Sequence, residues 1–224
     1  MSLLLLIETS SINCSIALCE GNNILACVEK REMNIHASAI TLFIEQVLSE
    51  AGKNLSDLTA IAVGKGPGSY TGLRIGVSTA KGLCYALNIP LIACQSLRTI
   101  FEQAKSISNQ PNAIYRPLID ARRMEVYTCT FQADGAQQED TNAVIIDEHT
   151  FEQETSSQTC IYFGDGAEKT KAFFMNNKNV IYLDELYPSA NYMHIEAMEK
   201  FKSQSFEDLI YFEPFYLKEF YFNK

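Results

Sequence analysis

Residues 64–76 have the sequence GKGPGSYTGLRIG and decide how the first half of the chain folds. An apolar run over residues 58–63 precedes them and predicts a buried strand, and a helical pattern follows from about residue 71 to residue 87. Glycine adopts positive φ without steric cost and lets another backbone come close, so the segment predicts a shaped strand-to-helix loop. Ser69 or Thr71 would cap the helix, and the N–H groups at its start would suit an anion.

The pattern on either side of this loop predicts alternating strands and helices. Predicted strands cover residues 3–8, 14–20, 24–31 and 89–94, and predicted helices cover residues 36–51 and 96–105. The resulting order β-β-β-α-β-α-β-α, in which an antiparallel meander feeds parallel strands, is typical of an RNase H-like half.

The remainder reads as a shorter echo of that half, after a polar linker at residues 106–112. Its predicted strands cover residues 113–120, 124–131, 143–146, 161–164 and 180–183, and its predicted helices cover residues 168–175 and 191–202. The chain is therefore predicted to have a lobe over residues 1–105, a smaller lobe over 106–210, and an aromatic tail over 211–224 that packs back on the body.

Composition restricts the classes of function. With 47% hydrophobic and 20% charged residues the 224-residue chain can bury a core, and its net charge of -9 argues against a protein that grips nucleic acid by itself. Seven cysteines without a Cys-x-x-C pair indicate reduced core thiols. The apolar start over residues 1–7 is too short for a leader, no run suits a membrane span, and we expect a cytoplasmic protein.

Four segments carry a resemblance to a known family. Residues 66–76 (GPGSYTGLRIG), 7–11 (IETSS), 119–127 (IDARRMEVY) and 213–218 (EPFYLK) resemble, in order and spacing, the TsaB (YeaZ) family, bacterial partners in making threonylcarbamoyladenosine on tRNA. The resemblance covers essentially the whole chain and is strongest through residue 127, whereas residues 134–206 carry no matching motif.

The resemblance implies a fold, a function and partners. The fold would be a two-lobed α/β, actin-like (RNase H-like/ASKHA) fold with a truncated second lobe. The chain would be a pseudoenzyme that binds TsaD and, with TsaE, supports transfer of a threonylcarbamoyl group to adenosine 37 of tRNAs that read ANN codons. It would form a homodimer when alone, would contact tRNA only through the complex, and would not bind a membrane. It would bind no cofactor tightly, and ATP or ADP would bind at the surface shared with TsaD.

The turn Glu8-Thr9-Ser10-Ser11 stands where actin-like phosphotransferases place an acidic residue and hydroxyls against metal and phosphate. A hydroxyl-lined turn suits phosphate, and these four residues are the candidate nucleotide-binding residues. Serine and threonine are also ordinary turn residues, so a turn without a ligand is the alternative.

No catalytic residue and no metal ligand is predicted. TsaD relatives carry a His-x-x-x-His pair after the strand that follows the glycine loop, and here residues 93–101 contain no histidine. His36, the first of three scattered histidines, is predicted to be a surface or capping residue. The hydroxyls of residues 69–71 have no identifiable base beside them, which makes a peptidase a poor alternative. A stand-alone actin-like kinase or ATPase is the other alternative.

The helix after the loop has Gly72, Gly76 and Ala80 at four-residue spacing. Glycine in a helix interior costs about 1 kcal/mol relative to alanine, so a neighbour is expected to approach closely. That neighbour is either the protein's own sheet or another chain. In TsaB relatives this helix and the preceding one form the shared dimer surface, which makes these three residues interface candidates, together with Ile40, Leu73, Val77 and Tyr85.

A charged turn is predicted between the first two strands of the second lobe. Asp120 and Arg122 are predicted to pair and fix this turn, and a role in nucleotide-dependent assembly is the alternative.

Overall fold

The computed structural model describes residues 2–218 and contains two five-stranded sheets. The predicted two-lobed α/β fold is confirmed, and most predicted elements lie within two residues of their observed bounds.

The first lobe carries the glycine loop between its fourth strand and its second helix. Its elements are β1 (Leu3–Glu8), β2 (Asn13–Glu20), β3 (Asn23–Arg31), α1 (His36–Glu50), β4 (Ala60–Gly64), α2 (Tyr70–Leu87), β5 (Leu91–Cys94) and α3 (Ser96–Ile107). The strand order is β3-β2-β1-β4-β5, in which β1 pairs antiparallel with β2 and parallel with β4. Every residue of β1 is buried, as expected for a central strand covered on both faces.

The second lobe repeats this plan with shorter elements. They are β6 (Ile114–Asp120), β7 (Glu125–Thr128), β8 (Asn142–Ile145), α4 (Glu152–Ser157), β9 (Cys160–Phe163), α5 (Glu168–Phe174), β10 (Val180–Leu183) and α6 (Ala190–Lys202). The strand order is β10-β9-β6-β7-β8, with β6 parallel to β9 and antiparallel to β7. Helix α4 was not predicted, because its six residues, EQETSS, have no apolar period.

Two helices tie the lobes together. Helix α6 lies within the predicted 106–210 lobe, yet Ala190, Met193 and Ala197 pack on the first sheet in one cluster with Leu4 and Leu6. Helix α3 closes the first lobe in sequence and packs into the core of the second sheet. The lobe boundary predicted from the sequence therefore differs from the boundary given by packing. Helix α6 packs on the first sheet and helix α3 packs on the second.

Of the predicted tail, residues 212–218 contact the two lobes, Tyr211 is exposed, and residues 219–224 lie outside the described residues. Phe212 packs on the core beneath α2. Across residues 2–218 no helix is both long and apolar enough to cross a membrane.

All seven cysteines are free thiols, six of them buried and Cys27 half-buried. His36 is buried as the first residue of α1, so the predicted surface position is wrong. Burial lowers the pKa of its imidazole. A polar residue just before a helical pattern gives no signal of this burial.

Candidate functional site

The candidate site lies where the parallel strands β1, β4 and β5 end at the same edge of the first sheet. Glu8 is the last residue of β1 and Gly64 the last of β4, while Ser96 begins α3 just beyond β5. Ligands of open α/β sheets bind outside the carboxyl ends of the strands, so this edge is where a phosphate would be expected.

The Glu8 carboxylate is completely buried at this edge. Its Oε1 accepts a hydrogen bond from the Ser10 N–H at 2.8 Å, and the Ser96 hydroxyl donates to its Oε2 at 3.2 Å. Burial raises the pKa of Glu8, and these hydrogen bonds offset that effect only in part. The hydrogen bonds favour the ionised carboxylate, but the effect of burial on the pKa is larger.

Helix α2 begins directly against the turn that follows Glu8. A Cβ atom on Gly72 would lie 2.1 Å from the Thr9 carbonyl oxygen, and one on Gly76 would lie 2.2 Å from Thr9 Oγ1. The Ser69 N–H donates to the Ser10 carbonyl at 2.6 Å, and Ser69 Oγ caps the helix by accepting from the Gly72 N–H at 3.3 Å. Of the two predicted caps the structure therefore uses Ser69.

The turn at residues 8–11 is buried in this conformation. Residues 8–11 have exposed fractions between 0% and 5%, so their oxygens face protein. Thr9 Oγ1 has no hydrogen-bond partner among the described residues, a feature that could mark a ligand site. Gly76 of α2 lies directly against this hydroxyl, and the Ser10 hydroxyl is likewise buried without a hydrogen-bond partner in residues 2–218. The predicted nucleotide-binding role of Glu8, Thr9, Ser10 and Ser11 therefore meets a steric obstacle in this conformation.

Of the predicted interface residues Tyr85 is exposed, whereas the other six are interior. The interior ones are Ile40, Gly72, Leu73, Gly76, Val77 and Ala80. The two glycines contact Thr9, which means that the close neighbour indicated by their spacing is the chain's own first turn. Apolar residues at helical spacing face the core here, so the prediction that these side chains form a partner surface is corrected.

The outer face of α2 carries a second set of residues at helical spacing, which includes the predicted Tyr85. The exposed residues of this stripe are Thr71, Arg74, Ser78, Gly82 and Tyr85. Tyr85 is 81% exposed, and a Cβ atom on Gly82 would meet nothing within 4 Å. The chain's own packing thus gives no reason for a glycine at position 82, although glycine weakens a helix interior by about 1 kcal/mol. Sequence reading followed the series 72, 76 and 80 and missed this residue.

At the equivalent edge of the second sheet, an ion pair stabilises the turn between β6 and β7. Asp120 Oδ1 accepts from the Arg122 backbone N–H at 2.5 Å and pairs with Lys169 Nζ at 2.9 Å. Asp120 fixes the turn as predicted, but its ion-pair partner is Lys169 rather than the Arg122 guanidinium. Lys169 also donates to the Glu125 carbonyl at 2.7 Å, which joins α5 to β7.

A cleft of about 560 Å³ lies between the lobes. Lys65, Pro67 and Gln95 line it from the first lobe, residues 137–141 line it from the second, and Phe215 of the tail closes one side. In residues 2–218 no three His, Cys, Asp or Glu side chains are grouped so that they could hold a metal ion.

Comparisons with known proteins agree with this architecture. The model of the family described as "TsaD: tRNA N6-adenosine threonylcarbamoyltransferase" matches residues 30–183. The TsaB protein of Escherichia coli K12, named a tRNA threonylcarbamoyladenosine biosynthesis protein, is 36% identical over 135 residues, which are 58% of this chain and 55% of that protein. The chain thus spans about half the length of the curated relatives it matches.

Two solved structures from Pseudomonas aeruginosa cover nearly the whole chain. One, described as an uncharacterized protein with similarity to peptidase YeaZ, has a TM-score of 0.85 at 26% identity and covers 97% of this chain and 100% of its own. The other, YeaZ, has a TM-score of 0.80 at 25% identity with the same coverage. Their agreement extends over both lobes.

Proposed function

This chain belongs to the TsaB (YeaZ) family of TsaD-like proteins, and we propose that it acts as a non-catalytic partner of TsaD in the synthesis of threonylcarbamoyladenosine. The acceptor would be adenosine 37 of tRNAs that read ANN codons. TsaD would perform the transfer, and TsaE would complete the assembly.

The sealed edge of the first sheet is the observation that carries this proposal. At the position where an actin-like enzyme needs room for phosphate, Glu8 is completely buried and α2 packs on Thr9. A hydroxyl that contacts only protein cannot attack or orient a substrate, so this chain is suited to support a reaction rather than to perform one. ATP or ADP would then bind at the surface shared with TsaD.

We assign the partner surface to the outer face of α2. Gly82 lets another helix approach closely, and Tyr85 offers a large, exposed aromatic side chain of the kind that anchors interfaces. Leu42 of α1, 61% exposed, would add apolar area on the neighbouring helix. The same face would bind a second copy of the chain in a homodimer when TsaD is absent.

The contribution to the reaction would be a population shift. A partner that binds the competent conformation of TsaD more tightly than the other conformations makes it dominant, by an amount equal to the difference in affinity. With a net charge of -9 the chain would meet tRNA through the complex rather than directly. Because the acceptor is tRNA, we expect the complex in the cytoplasm.

The decisive assay measures threonylcarbamoylated tRNA in a mixture of TsaD, TsaE, ATP and threonylcarbamoyl-adenylate, with and without this chain. We expect product only when the chain is present. Equal product in its absence would overturn the proposed function.

Variants at Gly82 test the partner surface without disturbing the fold. Gly82→Leu is expected to weaken TsaD binding by about tenfold or more, since an extra bulky side chain in a well-packed contact costs about 1–3 kcal/mol. Ala172→Leu, on the exposed face of α5, is the matched control and should bind like the original protein. Equal TsaD affinity for both variants, measured by titration calorimetry, would move the interface elsewhere.

A further inference from the structure

The tail of the chain crosses from one lobe to the other beside the cleft. After α6 it runs beneath α2, where Lys81 Nζ donates to the carbonyls of Ile210 at 3.2 Å and Phe212 at 3.0 Å. The following residues, 212–218, contact both lobes. We call them the tail segment.

Three contacts fix the tail segment to the first lobe. The Phe215 N–H donates to the Lys65 carbonyl of the glycine loop at 2.7 Å. The Tyr216 ring lies against the Tyr70 ring with centroids 5.0 Å apart. Arg74 Nε donates to the Tyr216 hydroxyl at 3.3 Å. These contacts join the tail segment to the loop and to the first turns of α2.

Its last described residue reaches the second lobe. Lys218 Nζ forms an ion pair with the Glu125 carboxylate and lies 3.4 Å from the Ala121 carbonyl oxygen. The same ammonium lies 5.9 Å from the centre of the Tyr127 ring. Lys218 therefore holds the turn between β6 and β7, which belongs to the other sheet.

The two attachments differ in strength. The attachment to the first lobe combines a backbone hydrogen bond with aromatic packing, whereas among residues 212–218 the polar attachment to the second lobe depends on the Lys218 ammonium. The two side chains of the Lys218–Glu125 pair are 32% and 23% exposed, so solvent and salt screen it. The attachment at Lys218 should release first.

We propose that the tail segment is a clasp that holds the two lobes in one relative position across the cleft, with the Lys218–Glu125 pair as its releasable end. The lobes also meet through the apolar face of α3, where Phe101 packs against Tyr115 and Phe131. That packed contact would act as the hinge, and the clasp would set how far the cleft lined by Phe215 and residues 137–141 opens. The inference does not depend on the proposed function.

Amide hydrogen exchange of the full chain tests the clasp. In Lys218→Met we expect the Phe215 and Gln138 amides, which donate to the Lys65 and Thr130 carbonyls on the two sides of the cleft, to exchange about two- to fivefold faster, the range expected for loss of a partly exposed ion pair. The amides of β1 should keep their rates. Lys178→Met, which removes an exposed charge in the second lobe, is the control. Unchanged rates in Lys218→Met would overturn the proposal.

A second pair of variants tests transmission in the other direction. Tyr216→Ala removes the attachment to the first lobe, and a clasp then requires faster exchange at the Ala121 and Glu125 amides, which close the β6–β7 turn. Tyr216→Phe keeps the ring on Tyr70 and should have a smaller effect. Faster exchange confined to the tail segment itself would show a tail that packs on the first lobe without linking the two, and would also overturn the proposal.

Discussion

The first strand of each lobe carries one buried charged residue, and the two are stabilised in opposite ways. Glu8 on β1 is 0% exposed and Arg116 on β6 is 2% exposed. The Glu8 carboxylate accepts hydrogen bonds from the Ser96 hydroxyl and from the Ser10 backbone N–H. Arg116 donates to two carboxylates, those of Glu154 and Glu139.

The difference shows two routes by which a polar strand residue becomes interior. Steric closure by the glycines of α2 shields the Glu8 turn, and the resulting burial raises the pKa of the Glu8 carboxyl group. Arg116 keeps its charge because opposite charges surround it, and its guanidinium also lies 4.0 Å from the centre of the Phe151 ring. The first lobe should therefore be sensitive to side-chain volume and pH, and the second to the loss of a partner charge.

The largest effect is expected from filling the glycine contact. Gly76→Leu places a side chain where Thr9 Oγ1 lies, and the turn cannot move without shifting β1. We expect destabilisation by about 3 kcal/mol or more, as for severe overpacking. The thermal unfolding midpoint of Gly76→Leu should fall far below that of Gly82→Leu, whose side chain meets open space. Equal midpoints would contradict the closure of the first lobe by α2.

A slightly smaller effect is expected from unpairing the arginine. Glu154→Ala removes the carboxylate that binds two guanidinium nitrogens and leaves Arg116 with Glu139, which is 52% exposed. A buried charge that loses its partner costs about 3 kcal/mol. Glu152→Ala on the same helix is the control, since its side chain is 71% exposed. Urea unfolding of both variants measures the difference, and similar free energies would refute the importance of charge pairing in this lobe.

The raised pKa of Glu8 predicts that the stability of the folded protein depends on pH. Because its pKa in the folded protein lies above the ordinary 4.5, the folded state binds more protons, and stability falls as pH rises from 4.5 through the raised pKa. Glu8→Gln keeps the shape and cannot ionise, so it should be more stable than the original protein at neutral pH, with the gap narrowing toward pH 4. Thermal unfolding midpoints of both proteins, measured between pH 4 and neutral pH, test this expectation. A gap that is constant with pH would show that Glu8 does not gain protons on folding.

The smallest effect is expected at the second sheet's edge. Asp120→Asn removes the charge that pairs with Lys169 while an oxygen still accepts from the Arg122 N–H. Asp120 is 46% exposed, and such a pair contributes at most about 1 kcal/mol. The variant should unfold within a few degrees of the original protein, and 1 M salt should abolish the difference. A larger loss of stability would show that the Asp120–Lys169 pair behaves like a buried ion pair, contrary to this prediction.

Much of the fold could be predicted because local patterns and long-range packing agree. The apolar residues of β1 and the helical spacing in α1 assign each element to its face, and Ser69 marks the start of α2. Helix α4 was missed because its stability comes from packing and from the Arg116–Glu154 pair, which no local pattern encodes.

The candidate site was only partly predictable. The glycine spacing correctly indicated a close neighbour, but which chain supplies it depends on where Thr9 lies, a fact of tertiary structure. Ile40 and Val77 illustrate the same limit, since apolar residues on one helical face suit a core and an interface equally. Only the three-dimensional structure shows that Gly82 is exposed, and therefore that it is available to an interface rather than to the core.

The thiols described above have a practical consequence for chemical labelling. Burial raises the pKa of Cys27, the half-buried one, to about 11, and that of Cys19, Cys84 and Cys129 to about 12. Thiol reagents attack the thiolate, so the native cysteines should stay unmodified near neutral pH. A single cysteine introduced on the surface of each lobe would therefore react selectively, and spectroscopic distance measurements between such labels would need no removal of native cysteines.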